Sequence, residues 1–158
     1  MKNRGVTLIE LMVVLSIIGI LATAFGFSYR DWIGKYKVEK TTKELYADLL
    51  QTRLMAMQFS HEYYAVLTDR SYTIVEDTND DGEENAGDIT LATYPRNLDH
   101  TMKWNNTGHR IIFDRRGLLP TMRTVWFTTA SQPDYDCIKI SKTRIIMGRY
   151  DGNECDAR

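Results

Sequence analysis

The sequence is poor in the residues that build most metal centres and disulfide scaffolds. Its 158 residues include two cysteines and three scattered histidines, with no Cys-x-x-Cys pair. This excludes a zinc site of the usual spacing and a small disulfide-rich fold. Acidic and basic residues nearly cancel, at 21 against 20, so no overall charge indicates a nucleic-acid partner. The 43% of apolar residues is typical of a chain that buries a core, and the length fits one domain.

Recognisable catalytic motifs are also missing. No serine lies in a nucleophile elbow, no glycine-rich loop could hold a phosphate, and no paired His/Glu motif suggests a metallohydrolase. We therefore predict that the chain is not an enzyme.

The first 29 residues contain the longest apolar run. The 19 residues from Leu11 to Tyr29 carry no charge, which is about the length that a helix needs to cross a bilayer. Glu10 lies at the start of this run, where an ionised carboxylate costs roughly 2.5–3.5 kcal/mol at the bilayer centre and therefore needs a cationic partner. A cleavable signal peptide, cut after Ala22-Thr23-Ala24, is the alternative. Glu10 and the helical pattern beyond residue 30 count against that alternative.

Beyond Arg30 the apolar residues follow the period of an amphipathic helix. They recur mostly at steps of three to five from Trp32 to Met57, and the first proline is Pro95. We predict one continuous helix over 6–60. Residues 6–29 form its transmembrane and assembly part, and residues 30–60 form its amphipathic continuation.

Residues 61–158 have the pattern of a β-rich head. Short segments rich in β-branched and aromatic residues alternate with turn-forming residues. We predict strands over 63–68, 71–76, 89–94, 100–104, 110–113, 124–129, 137–141 and 144–150. The predicted fold class is α+β, a long N-terminal helix packed on a C-terminal antiparallel sheet domain.

The N-terminus carries a family resemblance. Gly5 followed by Val6-Thr7-Leu8-Ile9-Glu10-Leu11-Met12-Val13-Val14 resembles the type III signal of type IV pilins and secretion pseudopilins. The resemblance implies a leader over 1–5, cleavage after Gly5 by a prepilin peptidase, and N-methylation of Val6. It also implies that Glu10 pairs with the terminal amine of a neighbouring subunit. Val6 replaces the usual Phe or Met, and Phe27 replaces the helix-kinking proline of many pilins.

The second half resembles the GspH/FimT branch of minor subunits. The similarity rests on Ile111–Gly117, which contains a Phe-x-x-x-Gly turn, and on a late strand that opens with Cys137. It implies a pilin-like fold and a single-pass inner-membrane protein with a periplasmic head. The chain then becomes a subunit of a type IV pilus or type II secretion filament. The implied partners are other pilins and the inner-membrane assembly platform.

A DNA-binding or adhesive minor pilin is the alternative function. Some members of the FimT branch bind DNA through a basic C-terminal loop. The basic residues concerned here are Lys142, Arg144 and Arg149. A solvated basic face is the simpler interpretation of these residues.

Residues 77–88 are the richest in candidate ligands. Laid on the twelve-position calcium loop, the segment has Gly82 at the sixth position, where the backbone turns sharply. The candidate calcium ligands are Asp77, Asn79, Asp81, Glu83 and Asp88. Asp88 is shorter than the usual closing Glu, so we predict weak binding. A solvated acidic loop between two strands is the alternative, and we expect no other cofactor.

The two cysteines, Cys137 and Cys155, lie 18 positions apart near the C-terminus. If the head lies outside the cytoplasm, we expect them to form a disulfide. Such a bridge contributes about 3 kcal/mol in the chain-entropy model. Two free thiols are the alternative.

Overall fold

The computed structural model describes residues 6–79, 81–105 and 108–157, without the side chains of 24–28. The predicted leader, which includes Gly5, lies outside the described residues. Within this part of the chain, no helix combines the length and the apolarity that crossing a membrane requires. The transmembrane assignment of residues 6–29 therefore stays a prediction.

A single helix, α1, runs over Leu8–Phe59. Thr7 directly precedes the helix, and its carbonyl accepts a hydrogen bond from the Leu11 N–H at 3.2 Å. Ser60 directly follows the helix and has a φ of 56°, the left-handed conformation that commonly ends helices. The predicted helix over 6–60 is confirmed to within two residues at each end.

Ten strands follow the helix in the part of the chain that the structure describes. They are β1 Tyr63–Leu67, β2 Ser71–Glu76, β3 Ile89–Thr90, β4 Arg96–Asn97, β5 Met102–Trp104, β6 Arg110–Phe113, β7 Arg123–Phe127, β8 Cys137–Ile140, β9 Ile145–Tyr150 and β10 Cys155–Ala157. Each predicted strand has a counterpart, but the predicted strand over 89–94 contains only the two residues of β3. The chain turns just after β3, where the Tyr94 N–H donates to the Leu91 carbonyl at 3.0 Å. Neither β4 nor β10 was predicted.

The strands form two antiparallel sheets. Sheet A has the order β3-β2-β1-β6, with β4 also paired to β2, and sheet B has the order β10-β9-β8-β7-β5. In sheet A, Ala65 lies opposite both Ile74 and Ile111. In sheet B, Val125 lies opposite Ile138. All five of these residues are fully buried in the head's core. The predicted antiparallel α+β fold is confirmed.

The part of α1 that belongs to the head, from residue 35 onward, buries one stripe of side chains. Its members recur at steps of three and four and are Val38, Thr42, Leu45, Leu49, Thr52 and Ala56, all at 0% exposure. The two threonines tolerate burial because their hydroxyls donate to the carbonyls of Val38 and Asp48. Two other large side chains that follow the apolar periodicity, Tyr36 and Leu54, are exposed.

Candidate functional site

The first turn of α1 contains Glu10, the predicted assembly residue. The Thr7 hydroxyl oxygen accepts a hydrogen bond from the Glu10 N–H at 3.3 Å, so Thr7 is the N-cap. An acidic side chain three residues after the cap is favourable, because it lies near the positive end of the helix dipole. Sequence reasoning missed this cap, although Thr-x-x-Glu is a recognisable signal for one. Glu10 is exposed in the single chain, and its pairing with another subunit stays a prediction.

The apolar side chains that follow are exposed on every side of the helix. Over residues 6–21 the large apolar side chains range from 49% exposed at Val14 to 77% at Leu8. Val6, the predicted methylation site, is 71% exposed. A helix that is apolar all round is typically buried among other helices or in lipid. A continuous exposed apolar surface of this kind marks a site of contact with protein or membrane.

The acidic loop, residues 77–88, closes the hairpin between β2 and β3, in which Glu76 pairs with Ile89. Its first residue, Asp77, is buried. The Asp77 Oδ2 accepts hydrogen bonds from the Tyr64 hydroxyl at 2.6 Å and from the Gly82 N–H at 2.9 Å. Burial, and then the bond to Asp77, raises the pKa of the Tyr64 hydroxyl above its usual range. Gly82 has a φ of +74°, a conformation that favours glycine.

Three of the other predicted ligands, Asn79, Asp81 and Asp88, bind the backbone and side chains of the same loop, and the fourth, Glu83, has an exposed side chain. Asp81 Oδ1 accepts from the Glu83 N–H at 2.8 Å, and Asp88 Oδ2 accepts from the Asn85 N–H at 2.8 Å. Asn79 Nδ2 donates to Asp81 Oδ2 at 2.8 Å. Among the described residues, no group of three acidic, histidine or cysteine side chains is arranged to hold a metal ion. Calcium binding stays a prediction.

The predicted disulfide between Cys137 and Cys155 is confirmed, with a Cα–Cα distance of 5.9 Å. It links β8 to β10, although β9 separates these two strands in the sheet. Gly148 of β9 lies opposite Cys137. A Cβ atom at Gly148 would lie only 1.9 Å from the carbonyl oxygen of Asp156. The missing side chain therefore gives β10 the space to approach β9 so closely.

The structure separates the three predicted DNA-binding residues. Lys142 and Arg144 lie in the exposed turn between β8 and β9. Arg149 lies near the other end of β9, about 17 Å along the strand from Arg144. There its guanidinium donates to Gln132 Oε1 at 3.1 Å.

The turn that carries Lys142 and Arg144 meets a second basic turn. The Lys142 carbonyl accepts a hydrogen bond from the Leu119 N–H at 3.1 Å, which holds the segment after Arg115 and Arg116 beside it. The Arg53 guanidinium of α1 donates to the Thr143 carbonyl at 2.7 Å. We define the basic patch as Arg53, Arg115, Arg116, Lys142 and Arg144. Each of these basic residues can be seen in the sequence, but their proximity depends on contacts between segments distant along the chain.

A buried ionic network was also missed from the sequence. Asp48 of α1 is 6% exposed, and its Oδ2 accepts from the Tyr72 hydroxyl at 2.7 Å. The same oxygen lies 3.0 Å from Arg96 Nε, and the Arg96 guanidinium lies over the Tyr94 ring at 5.6 Å. Burial, and then Asp48, raises the pKa of Tyr94 to about 12. This network joins α1 to sheet A and has a structural role.

Comparison with known proteins identifies the family. The prokaryotic N-terminal methylation motif matches residues 1–26, which contain Gly5, Val6 and Glu10. The model of the type II transport protein GspH matches residues 41–143. The chain belongs to the GspH family. No curated protein sequence matches it.

The fold of this GspH-family chain is similar to that of a solved minor pilin. The type IV minor pilin FimU of Pseudomonas aeruginosa strain PAO1 superposes with a TM-score of 0.53 over 77% of this chain and 93% of that one. The two sequences are 18% identical, so this similarity shows the fold alone. Together with the two family matches, it identifies a minor pilin or pseudopilin of the GspH/FimT type. Such a protein is a structural filament subunit and not an enzyme.

The GspH match ends at residue 143. It includes the acidic loop and Cys137, but Cys155, Arg149 and strand β10 lie beyond it. The roles of these C-terminal residues must therefore be argued from their own geometry.

Proposed function

We propose that this GspH-family chain assembles into a filament through its N-terminal helix, residues 6–29. The observation that carries the proposal is the apolar surface exposed on every side of the helix from Val6 to Leu21. Before assembly, lipid of the inner membrane covers this surface, and the head lies in the periplasm. In the filament, the helices of other pilins replace the lipid. Because lipid tails are as apolar as these side chains, close packing and polar contacts drive the exchange.

Glu10 sets the position of each subunit along the filament. Its carboxylate costs roughly 2.5–3.5 kcal/mol within an apolar layer unless a cation neutralises it. Cleavage after Gly5 by a prepilin peptidase creates a suitable cation, the amine of Val6 on a neighbouring subunit. Only one axial offset between two helices brings these groups together, so the pair specifies that offset.

Two experiments test this proposal. Mass spectrometry of the mature protein should find an N-terminus at methylated Val6, whereas an N-terminus at Phe25 would indicate an ordinary secreted protein. Glu10→Ala should stay in the membrane but be lost from purified filaments. Glu44→Ala is the matched control, because Glu44 is an exposed acid on the same helix. Normal incorporation of the Glu10 variant would contradict the pairing.

The machine that uses the subunit is either a type IV pilus or a type II secretion system. The GspH match favours secretion, and the fold of FimU favours a pilus. Deletion of the gene should abolish either protein secretion or pilus-dependent movement. Whichever of these two activities is lost identifies the machine whose inner-membrane platform assembles the subunit.

DNA binding is a second candidate function, and the observation that favours it is the basic patch. A gel-shift assay should compare the double variant Lys142→Ala/Arg144→Ala with Arg149→Ala, because Arg149 lies apart from the patch. DNA uptake through this patch requires that only the double variant lose binding, and that binding weaken as salt rises. Equal loss in both variants, or binding insensitive to salt, would contradict it.

A further inference from the structure

A groove of about 480 Å³ lies at the end of sheet B where β7 and β9 finish. Its volume falls within the range of about 300–1,000 Å³ that is usual for small-molecule sites. Its wall contains Trp126 of β7 and Tyr150 of β9, together with polar side chains of the segment 128–132. None of the residues that line this groove belongs to the basic patch.

The wall of the groove contains a pair of stacked aromatic rings. The Trp126 and Tyr150 ring centroids lie 4.5 Å apart at an interplanar angle of 11°. The strand between them, β8, presents Cys137 opposite Trp126, and β9 presents Gly148 opposite Cys137. Because paired residues share one face of the sheet, the bridged cysteine and the glycine leave room for the two rings to meet. Both rings are partly exposed, and because each ring covers one face of the other, a ligand can contact the outer faces and edges of the pair.

The polar rim is fixed in place before any ligand binds. Asp136 Oδ1 accepts from the Tyr150 N–H at 2.6 Å, and the Asp136 carbonyl accepts from the Phe127 N–H at 2.9 Å. These bonds tie the ends of β7 and β9 together. The guanidinium of Arg149 donates to Gln132 Oε1 at 3.1 Å, which orients the side-chain amide. A rim held in this way loses little conformational entropy on binding.

The chemistry of the lining selects the class of ligand. The two bases, Lys103 and Arg149, are balanced by two acids, Asp136 and Asp151, so the groove has no excess positive charge to attract a polyanion. The remaining polar side chains are hydroxyls and an amide, which bind neutral hydroxyl groups well. A sugar ring has an apolar C–H face that stacks on an aromatic ring, and hydroxyl groups around its edge. We propose that this groove binds a neutral oligosaccharide, independently of filament assembly.

Calorimetry on the full-length protein tests the proposal, in a detergent that lacks a sugar headgroup. The probes are maltotriose, cellotriose and triacetylchitotriose, titrated to high millimolar concentration. At least one should bind, and Trp126→Ala should weaken that binding by about tenfold, the value expected for a lost aromatic contact. Gln132→Ala should also weaken it and, since Gln132 is exposed, should leave the fold intact. Arg70→Ala, an exposed arginine in the turn between β1 and β2, is the matched control and should bind as the parent does.

Three results would overturn the proposal. The first is that none of the three sugars binds. The second is that a sugar binds the parent, Trp126→Ala and Gln132→Ala equally. The third is that a thymidine oligonucleotide, and no sugar, binds and loses affinity in these two variants, which would assign the groove to single-stranded nucleic acid.

Discussion

Removing the disulfide should destabilise the head by an amount that the structure lets us work out. Cys137 and Cys155 close a loop with a sequence separation of 18, and the chain-entropy model gives about 3 kcal/mol for a loop of this length. For a domain of this size, that corresponds to a fall in melting temperature of about 10 °C. Both cysteines are buried, at 0% and 5% exposure, so serines in their place also lose buried contacts. We therefore expect at least this loss for the double Cys→Ser variant.

A second substitution separates the effect of the bridge from that of strand β10. Gly148→Ala places a Cβ atom 1.9 Å from the Asp156 carbonyl oxygen, so β10 must move. With the bridge intact, β10 is held at Cys155, and overpacking should cost about 2 kcal/mol or more. Without the bridge, β10 can shift away, and the same substitution should cost about 1 kcal/mol less.

Urea unfolding of a soluble fragment that starts at residue 30 measures both effects. The four proteins of the cycle are the parent, the double Cys→Ser variant, Gly148→Ala and their combination. A loss below about 1 kcal/mol on removing the bridge would refute the estimate from loop closure. Strict additivity of the two changes would refute the idea that the bridge presses β10 onto Gly148.

Three further predictions concern the buried network and the acidic loop. Arg96→Ala should destabilise the head by about 1.5–3 kcal/mol, because it removes a charged hydrogen bond from buried Asp48. In a protein that already carries Asp48→Asn, the Arg96→Ala substitution should cost much less. Equal losses in the parent and in the Asp48→Asn variant would contradict the pairing. The pKa of Tyr94 rises from 10.0 to about 12 on folding. The stability that this group contributes is therefore fully present below pH 10 and is lost as the pH rises toward 12. Between pH 10 and pH 12, the midpoint of urea unfolding should fall less steeply for Tyr94→Phe than for the parent. Calorimetric titration with calcium at millimolar concentration should give a heat of binding that Asp81→Ala abolishes and a chelator reverses. No heat of binding in the parent would contradict the prediction of a calcium site.

The sequence predicted those features that depend on local pattern. The helix from Leu8 to Phe59 follows from uninterrupted periodicity and the late position of Pro95. The disulfide could be expected because the N-terminal resemblance implies a periplasmic head, and cysteines oxidise in that compartment. The cap at Thr7 was also within reach, because Thr-x-x-Glu is a local signal.

The rest depends on contacts between residues distant in sequence. The buried stripe of α1 contains Thr42 and Thr52, which look like polar positions until their hydroxyls are seen to bond within the helix. Asp48 looks like a surface acid until Arg96 and Tyr72 are placed beside it. The stacked rings of Trp126 and Tyr150 belong to strands that are not neighbours, so no spacing along the chain could indicate the groove.

The Phe-x-x-x-Gly turn links family sequence pattern and head structure. Phe113 ends β6 inside the core at 1% exposure, and Asp114 then holds the turn with Oδ1 accepting from the Leu118 N–H at 2.7 Å. Gly117 has a φ of +67°, and a Cβ there would lie 2.8 Å from Cγ of Met57. The pattern thus places a core residue at one end and, at the other, a turn that presses directly on α1. Because this turn also carries Arg115 and Arg116 of the basic patch, the patch depends on the glycine, although the glycine itself contributes no charge.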